Sequence, residues 1–157
     1  MLYSILLSLH SGMRWFVLIF LLIALFNAFT GLFKARLFSR RDYLCKQLAV
    51  RIVQIQFILG IVLYAISPIV RYFLTNFGEA VHVREIRFFG MEHITVMVIA
   101  VGLISVASDK IDRSDRDRDK FRIMAWWFGI ALLLILTSIP WSFSPLISRP
   151  SFRTFHF

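Results

Sequence analysis

Four ionisable side chains interrupt two otherwise apolar stretches: His10 and Arg14, four residues apart, and the neighbours Glu92 and His93. Placing a titratable group in a hydrocarbon setting costs free energy, so such groups are kept where they bind, relay or pair. Two neutral imidazoles are the donor set of a haem iron held at both axial positions. That chemistry also asks for an apolar slot for the macrocycle and basic groups for its propionates. A zinc or copper centre wants more donors than two imidazoles and one carboxylate, and the single cysteine, Cys45, puts no thiolate near them. A plainer alternative is a polar cluster in which these four side chains hydrogen-bond one another and fix helix packing. Gln54 and Gln56 are uncharged, but in an apolar stretch they too need partners.

The elements that must carry these residues follow from composition. Of 157 residues, 59% are hydrophobic and 17% charged, with mean hydropathy +0.74. A soluble domain has about 45–50% apolar and about 25% charged residues. A soluble α/β enzyme, a disordered chain and a secreted disulfide scaffold are therefore excluded. The apolar residues fall in four blocks, each near the roughly 20 residues that cross a bilayer as a helix. Transmembrane strands are shorter, about 9–11 residues, and alternate in polarity. The expected helices run over about 4–33, 52–70, 88–107 and 123–143. Short connections make them an all-α, up-down four-helix bundle in the membrane, with 1–157 as one domain. No cleavable signal is expected, because no basic residue precedes the first apolar run and no small-x-small site precedes Lys34.

Charge gives the orientation. Twelve of the eighteen basic residues lie between helices 1 and 2 (34–51) or between helices 3 and 4 (110–122). Five lie on the other side: Arg71, Arg84, Arg87, Arg149 and Arg153. Basic residues near helix ends mark the cytoplasmic face, so both termini are expected in the periplasm of a bacterial inner membrane. The net charge of +9 is then a topology signal, and nucleic acid drops out as a partner. The alternating acids and bases of 109–120 read as a solvated turn with local ion pairs. His82 and His156 read as ordinary solvated histidines. The tail 144–157 carries Pro145, Pro150, Phe152, Phe155 and Phe157, and wants either the lipid interface or a protein partner in a membrane complex.

In a ring ordered 1-2-3-4, helices 1 and 3 are diagonal and run the same way. His10 and His93 then lie in the outer half and face each other across the core. The slot between them would be lined by Phe16, Phe89, Met97, Leu136 and Trp141, with Arg87, Arg84 and Arg71 at the rim for propionates. Arg14, one turn from His10, would reach a propionate or Glu92. The first apolar run is about 45 Å long as a helix against a core of about 30 Å. If the core begins at Trp15, His10 moves to the outer interface instead. Gln54 and Gln56 are expected about one to two turns from the cytoplasmic side, level with Asn27, Thr30, Ser105 and Ser108. That layer would be interhelical hydrogen bonding or a pocket for a quinone head group. Ser67-Pro68 and Ile139-Pro140-Trp141 should end or kink helices 2 and 4.

Several motifs occur in a fixed order: Leu9-His10-Ser11-Gly12-Met13-Arg14-Trp15, Gln56 with Leu59-Gly60 and Leu63-Tyr64, Ser67-Pro68, Arg87-Phe88-Phe89 with Glu92-His93, and Ser138-Ile139-Pro140-Trp141. Together they resemble the short four-helix membrane proteins of Bacteroidetes-type bacteria labelled "cytochrome b", over nearly the whole chain up to Trp141. The resemblance implies one haem b, with His10 and His93 as the matching histidines. The family pattern has further histidines near the inner ends of helices 2 and 3, where this chain has Gln54 and Ser105. The departure removes an inner haem and leaves an outer one. The expected function is a haem-b-binding protein in electron transfer, or an accessory subunit of a membrane redox complex. Electron transfer needs no catalytic side chain, so an enzymatic role does not follow. A haem-free structural or assembly subunit and a quinone- or lipid-binding module are the alternatives.

Overall fold

The computed structural model describes residues 2–142, so the tail 144–157 and His156 lie outside the described residues. The described residues form seven α-helices and one π-helical turn: α1 (Leu2–Phe33), α2 (Arg40–Ile66), α3 (Pro68–Thr75), α4 (Phe77–Ala80), α5 (Arg84–Arg87), the π turn (Phe88–Glu92), α6 (His93–Asp112) and α7 (Asp117–Thr137). α5, the π turn and α6 run on as one rod, so four rods are long and apolar enough to cross a membrane: Leu2–Phe33, Arg40–Ile66, Arg84–Asp112 and Asp117–Thr137. This is a multi-pass membrane protein. Its outward faces are apolar, with Phe16, Phe26 and Leu133 more than half exposed, as lipid-facing side chains are.

The rods close a ring in chain order. α1 packs on α2 and α7, and α6 packs on α7 and α2, which leaves α1 diagonal to α6. Small residues let the backbones approach: Ala24 and Ala28 of α1, Ala49 of α2, Ala100 and Ala107 of α6 and Ala131 of α7 are all fully buried. Without a hydrophobic drive between helices in lipid, such close contact supplies the packing energy. Phe121, Met124 and Phe128 of α7 fill the space these small residues leave.

Three rods differ from the sequence expectation. Helix 2 starts at Arg40 instead of 52, because the charged stretch before the apolar run is itself helical. Ser39 caps it: its hydroxyl accepts from the Asp42 N–H, and the Asp42 carboxylate accepts from the Ser39 N–H. Arg36 forks onto the same carboxylate at 2.5 and 2.7 Å, and this hydrogen bonding pushes the Arg36 guanidinium above its ordinary range. One turn on, Lys46 is fully buried, with Nζ 2.6 Å from Asp112 Oδ1 and 4.7 Å from the Tyr43 ring centre. Helix 2 also breaks at Ser67, whose hydroxyl caps α3 by accepting from the Val70 N–H. Pro68 clashes with a continuing helix but suits the first turn of a new one. The third rod is longer than 88–107 at both ends. The fourth stops at Thr137 instead of 143, three residues before Pro140.

Candidate functional site: a cavity between two histidines

A partly enclosed cavity of about 200 Å³ lies at the end of the bundle that holds the N-terminus. Its α1 wall is one helical face: Leu7, His10, Arg14 and Val17 recur every three or four residues. On α2 the wall is Val53, Gln56, Gly60 and Tyr64, and on the third rod it is Phe89, His93, Met97 and Val101. The first turns of α1, the break after α2 and the end of α7 surround this space. His10 and His93, from diagonal rods, line it together.

His93 is held by a helix end. A continued α7 would use the Ser138 carbonyl within the helix, but Pro140 has no N–H and ends it. The Ser138 carbonyl is left over and lies 2.9 Å from His93 Nδ1, with the Ser138 hydroxyl at 3.2 Å. A carbonyl can only accept, so Nδ1 carries the proton and Nε2 keeps its lone pair. The Leu136 carbonyl, which the N–H of residue 140 would have taken, accepts instead from Trp141 Nε1 at 3.0 Å. The π turn precedes His93 directly, and its wider winding changes which face the following residues present. Tyr64 steadies it by donating to the Gly90 carbonyl at 2.7 Å. Gly90 is pressed against the Phe73 ring so closely that a side chain there would collide.

His10 is held differently. Its ring lies against Gly60, where a Cβ would stand only 3.2 Å from His10 Cε1. The backbone carbonyl of Gln56 is beside the ring, yet His10 Nδ1 is buried with no hydrogen-bond partner. Gln56 Nε2 donates to the His10 backbone carbonyl at 2.8 Å. The other end of that amide, Oε1, is also buried without a partner.

Of the expected site residues, His10, His93 and Arg14 line the cavity and Arg87 does not. Arg87 Nε pairs with Glu92 at 2.6 Å while its guanidinium donates to the Val81 carbonyl at 3.0 Å, so Glu92 is met by Arg87. Of the expected slot residues, Phe89 and Met97 are in the wall. Phe16 faces outward, and Leu136 and Trp141 pack on the core. Gln56 belongs to the histidine level and not to an inner layer, because helix 2 begins twelve residues earlier than expected. Gln54 is not in the wall. Ser138 and Gly60 were not singled out as site residues, though Gly60 lies one turn from Gln56. Among the described residues, no three His, Cys, Asp or Glu side chains gather as a metal site.

The chain was compared with protein-family models, curated proteins and solved structures. None of them matches. The chemistry of the cavity therefore rests on its own side chains.

Proposed function

We propose that this chain is a haem-b-binding membrane protein that takes part in electron transfer, alone or as an accessory subunit of a membrane redox complex. The observation that carries the reading is that imidazoles from two diagonal helices line one apolar cavity, one of them anchored through Nδ1 so that Nε2 is available. The donors suit the group: two neutral imidazoles, a mostly apolar wall and one guanidinium, Arg14, to offset a propionate. Bound haem b would supply one-electron exchange. His10 and His93 would hold the iron, and Val17, Ile135 and Ile139 would keep water out, while Arg87 stays engaged with Glu92. The reading places the protein in a bacterial inner membrane with both termini periplasmic, the basic 1–2 and 3–4 connections being cytoplasmic. The aromatic tail 144–157 would serve for docking to a partner subunit.

Cavity size favours a second reading. About 200 Å³ is less than the roughly 300–1,000 Å³ of clefts for drug-sized ligands. A quinone head group, or the head of a lipid, needs less room than a macrocycle and would meet Gln56, Arg14 and the imidazoles in the same wall. One experiment separates the two. A reduced-minus-oxidised visible spectrum is taken of protein produced with ample haem, beside His10→Ala and His93→Ala. Haem reading: b-type bands that each substitution abolishes or converts to a five-coordinate form. Bands absent from the wild type would falsify it and leave the quinone, lipid and haem-free subunit readings. For the last of these, purification in gentle detergent should bring down a stoichiometric partner.

A further inference from the structure

The two imidazoles are unequally supported, and the difference points to a role for Gln56. Seen from Nδ1, His93 has a fixed acceptor in the Ser138 carbonyl, whereas His10 Nδ1 is buried without a well-formed hydrogen bond, although the Gln56 backbone carbonyl lies beside its ring. A ring that ligates through Nε2 carries its proton on Nδ1, and that N–H needs an acceptor to set tautomer and ring angle. Gln56, whose side chain already touches the His10 backbone, carries a buried acceptor that is itself unmatched, Oε1. The Gln56 amide is already tied to His10, since Nε2 donates to the His10 backbone carbonyl at 2.8 Å. That bond fixes which end of the amide is which, because an oxygen turned toward a carbonyl oxygen would repel it. Gly60, one turn further along α2, has no Cβ to crowd the ring.

We infer that Gln56 is the positioning residue for His10: on ligation through Nε2 the imidazole turns to donate its Nδ1–H to Gln56 Oε1, matching the His93–Ser138 pair. Two buried polar atoms that lack partners would then satisfy each other. The inference rests on the haem reading above, and its test keeps the two apart.

Haem-loaded wild type is compared with Gln56→Leu, Gln56→Glu and, for shape without polarity, Gln56→Met. Haem affinity, the visible spectrum and the midpoint potential are the readouts. Removing the partner of a ligating histidine typically lowers affinity about 10–100-fold. Gln56→Leu and Gln56→Met should show that loss together with partial conversion to a five-coordinate spectrum. Gln56→Glu keeps an acceptor, and a stronger one, so six-coordination should return and the potential should fall below wild type. A merely structural glutamine would give no such rescue and no shift of potential. If all three variants match wild type in affinity, spectrum and potential, Gln56 has no such role while the haem reading stands. If wild type binds no haem, the reading fails and this inference with it.

Discussion

The two halves of the bundle are built on opposite terms. Toward the 1–2 and 3–4 connections the rods are regular, alanines meet at the contacts, and Phe121 and Phe128 are completely enclosed. Polar groups there are matched: Lys46 to Asp112, and Arg36 and Ser39 to Asp42. Toward the N-terminus every rod except α1 is interrupted: α2 by Ser67-Pro68, the third by its π turn, α7 by Pro140. That half holds the cavity and two unmatched buried polar atoms, His10 Nδ1 and Gln56 Oε1. Helix interruptions free backbone groups and make space, and a membrane helix keeps them only where neighbours satisfy those groups. The comparison places the close, matched packing in the regular half and the cavity in the interrupted one.

The strongest way to break that division is in the regular half. Phe121→Ala should cost about 3–5 kcal/mol, as large-to-small changes of enclosed aromatic residues do, read as unfolding in a detergent micelle. On the haem proposal, the b-type spectrum of surviving folded protein should be unchanged. Loss of the spectrum in folded protein would show that the halves are coupled. Asp112→Ala removes the partner of a fully buried ammonium and should cost about 1–3 kcal/mol. Pairing it with Lys46→Met should restore most of that loss, since a buried ion pair is often replaceable by packed apolar groups. A double substitution no better than the single would place the lysine's value elsewhere.

In the interrupted half the expected effects on stability are smaller and those on the site larger. Pro140→Ala lets α7 continue and draws the Ser138 carbonyl back into the helix. Nitrogen-15 spectra of the imidazoles should then show His93 losing its fixed Nδ1–H tautomer, with stability changed by about 1 kcal/mol or less. Gly60→Ala puts a methyl 3.2 Å from His10 Cε1 and should shift the His10 resonances while leaving those of His93 in place. The smallest effect is at Ala35, whose φ of 46° ends α1 in the left-handed conformation that closes a Schellman pair of hydrogen bonds onto Gly31 and Leu32. Ala35→Gly should raise stability by about 0.5–1 kcal/mol, measurable as a small rise in melting temperature.

The regular features of the fold were legible in the sequence, and the irregular ones less so. Hydropathy finds apolar helices, so it found four rods and missed the first three turns of α2, where five of the twelve residues 40–51 are charged. The sign was present: Ser39, with Asp42 three residues later, is a capping pattern. Periodicity also places the cavity wall on α1, since Leu7, Arg14 and Val17 share the face of His10. Phe16, six residues on, is turned about 240° away, and its place in the slot was a misreading of that arithmetic. Pro140 announced a helix end, but which carbonyl it would free, and that His93 would take it, depends on how two rods meet. The π turn leaves no such mark in the sequence, for Gly90 beside Phe89 and Met91 would sit equally well in an α-helix.

The unequal rods have a consequence for the surrounding lipid. At about 1.5 Å per residue, the 32 residues of α1 are roughly 48 Å long and the 21 of α7 roughly 32 Å. The first six residues of α7 carry five charges, so its apolar part falls short of a hydrocarbon core of about 30 Å while α1 exceeds it. The protein is therefore lopsided in hydrophobic height. Lipids against α7 meet an apolar stretch of only 123–137, roughly 22 Å, while those against α1 must stretch unless that rod leans. A membrane thinner or thicker than the native one would be felt first on the α1 side, where His10 is seated in the first third of the helix.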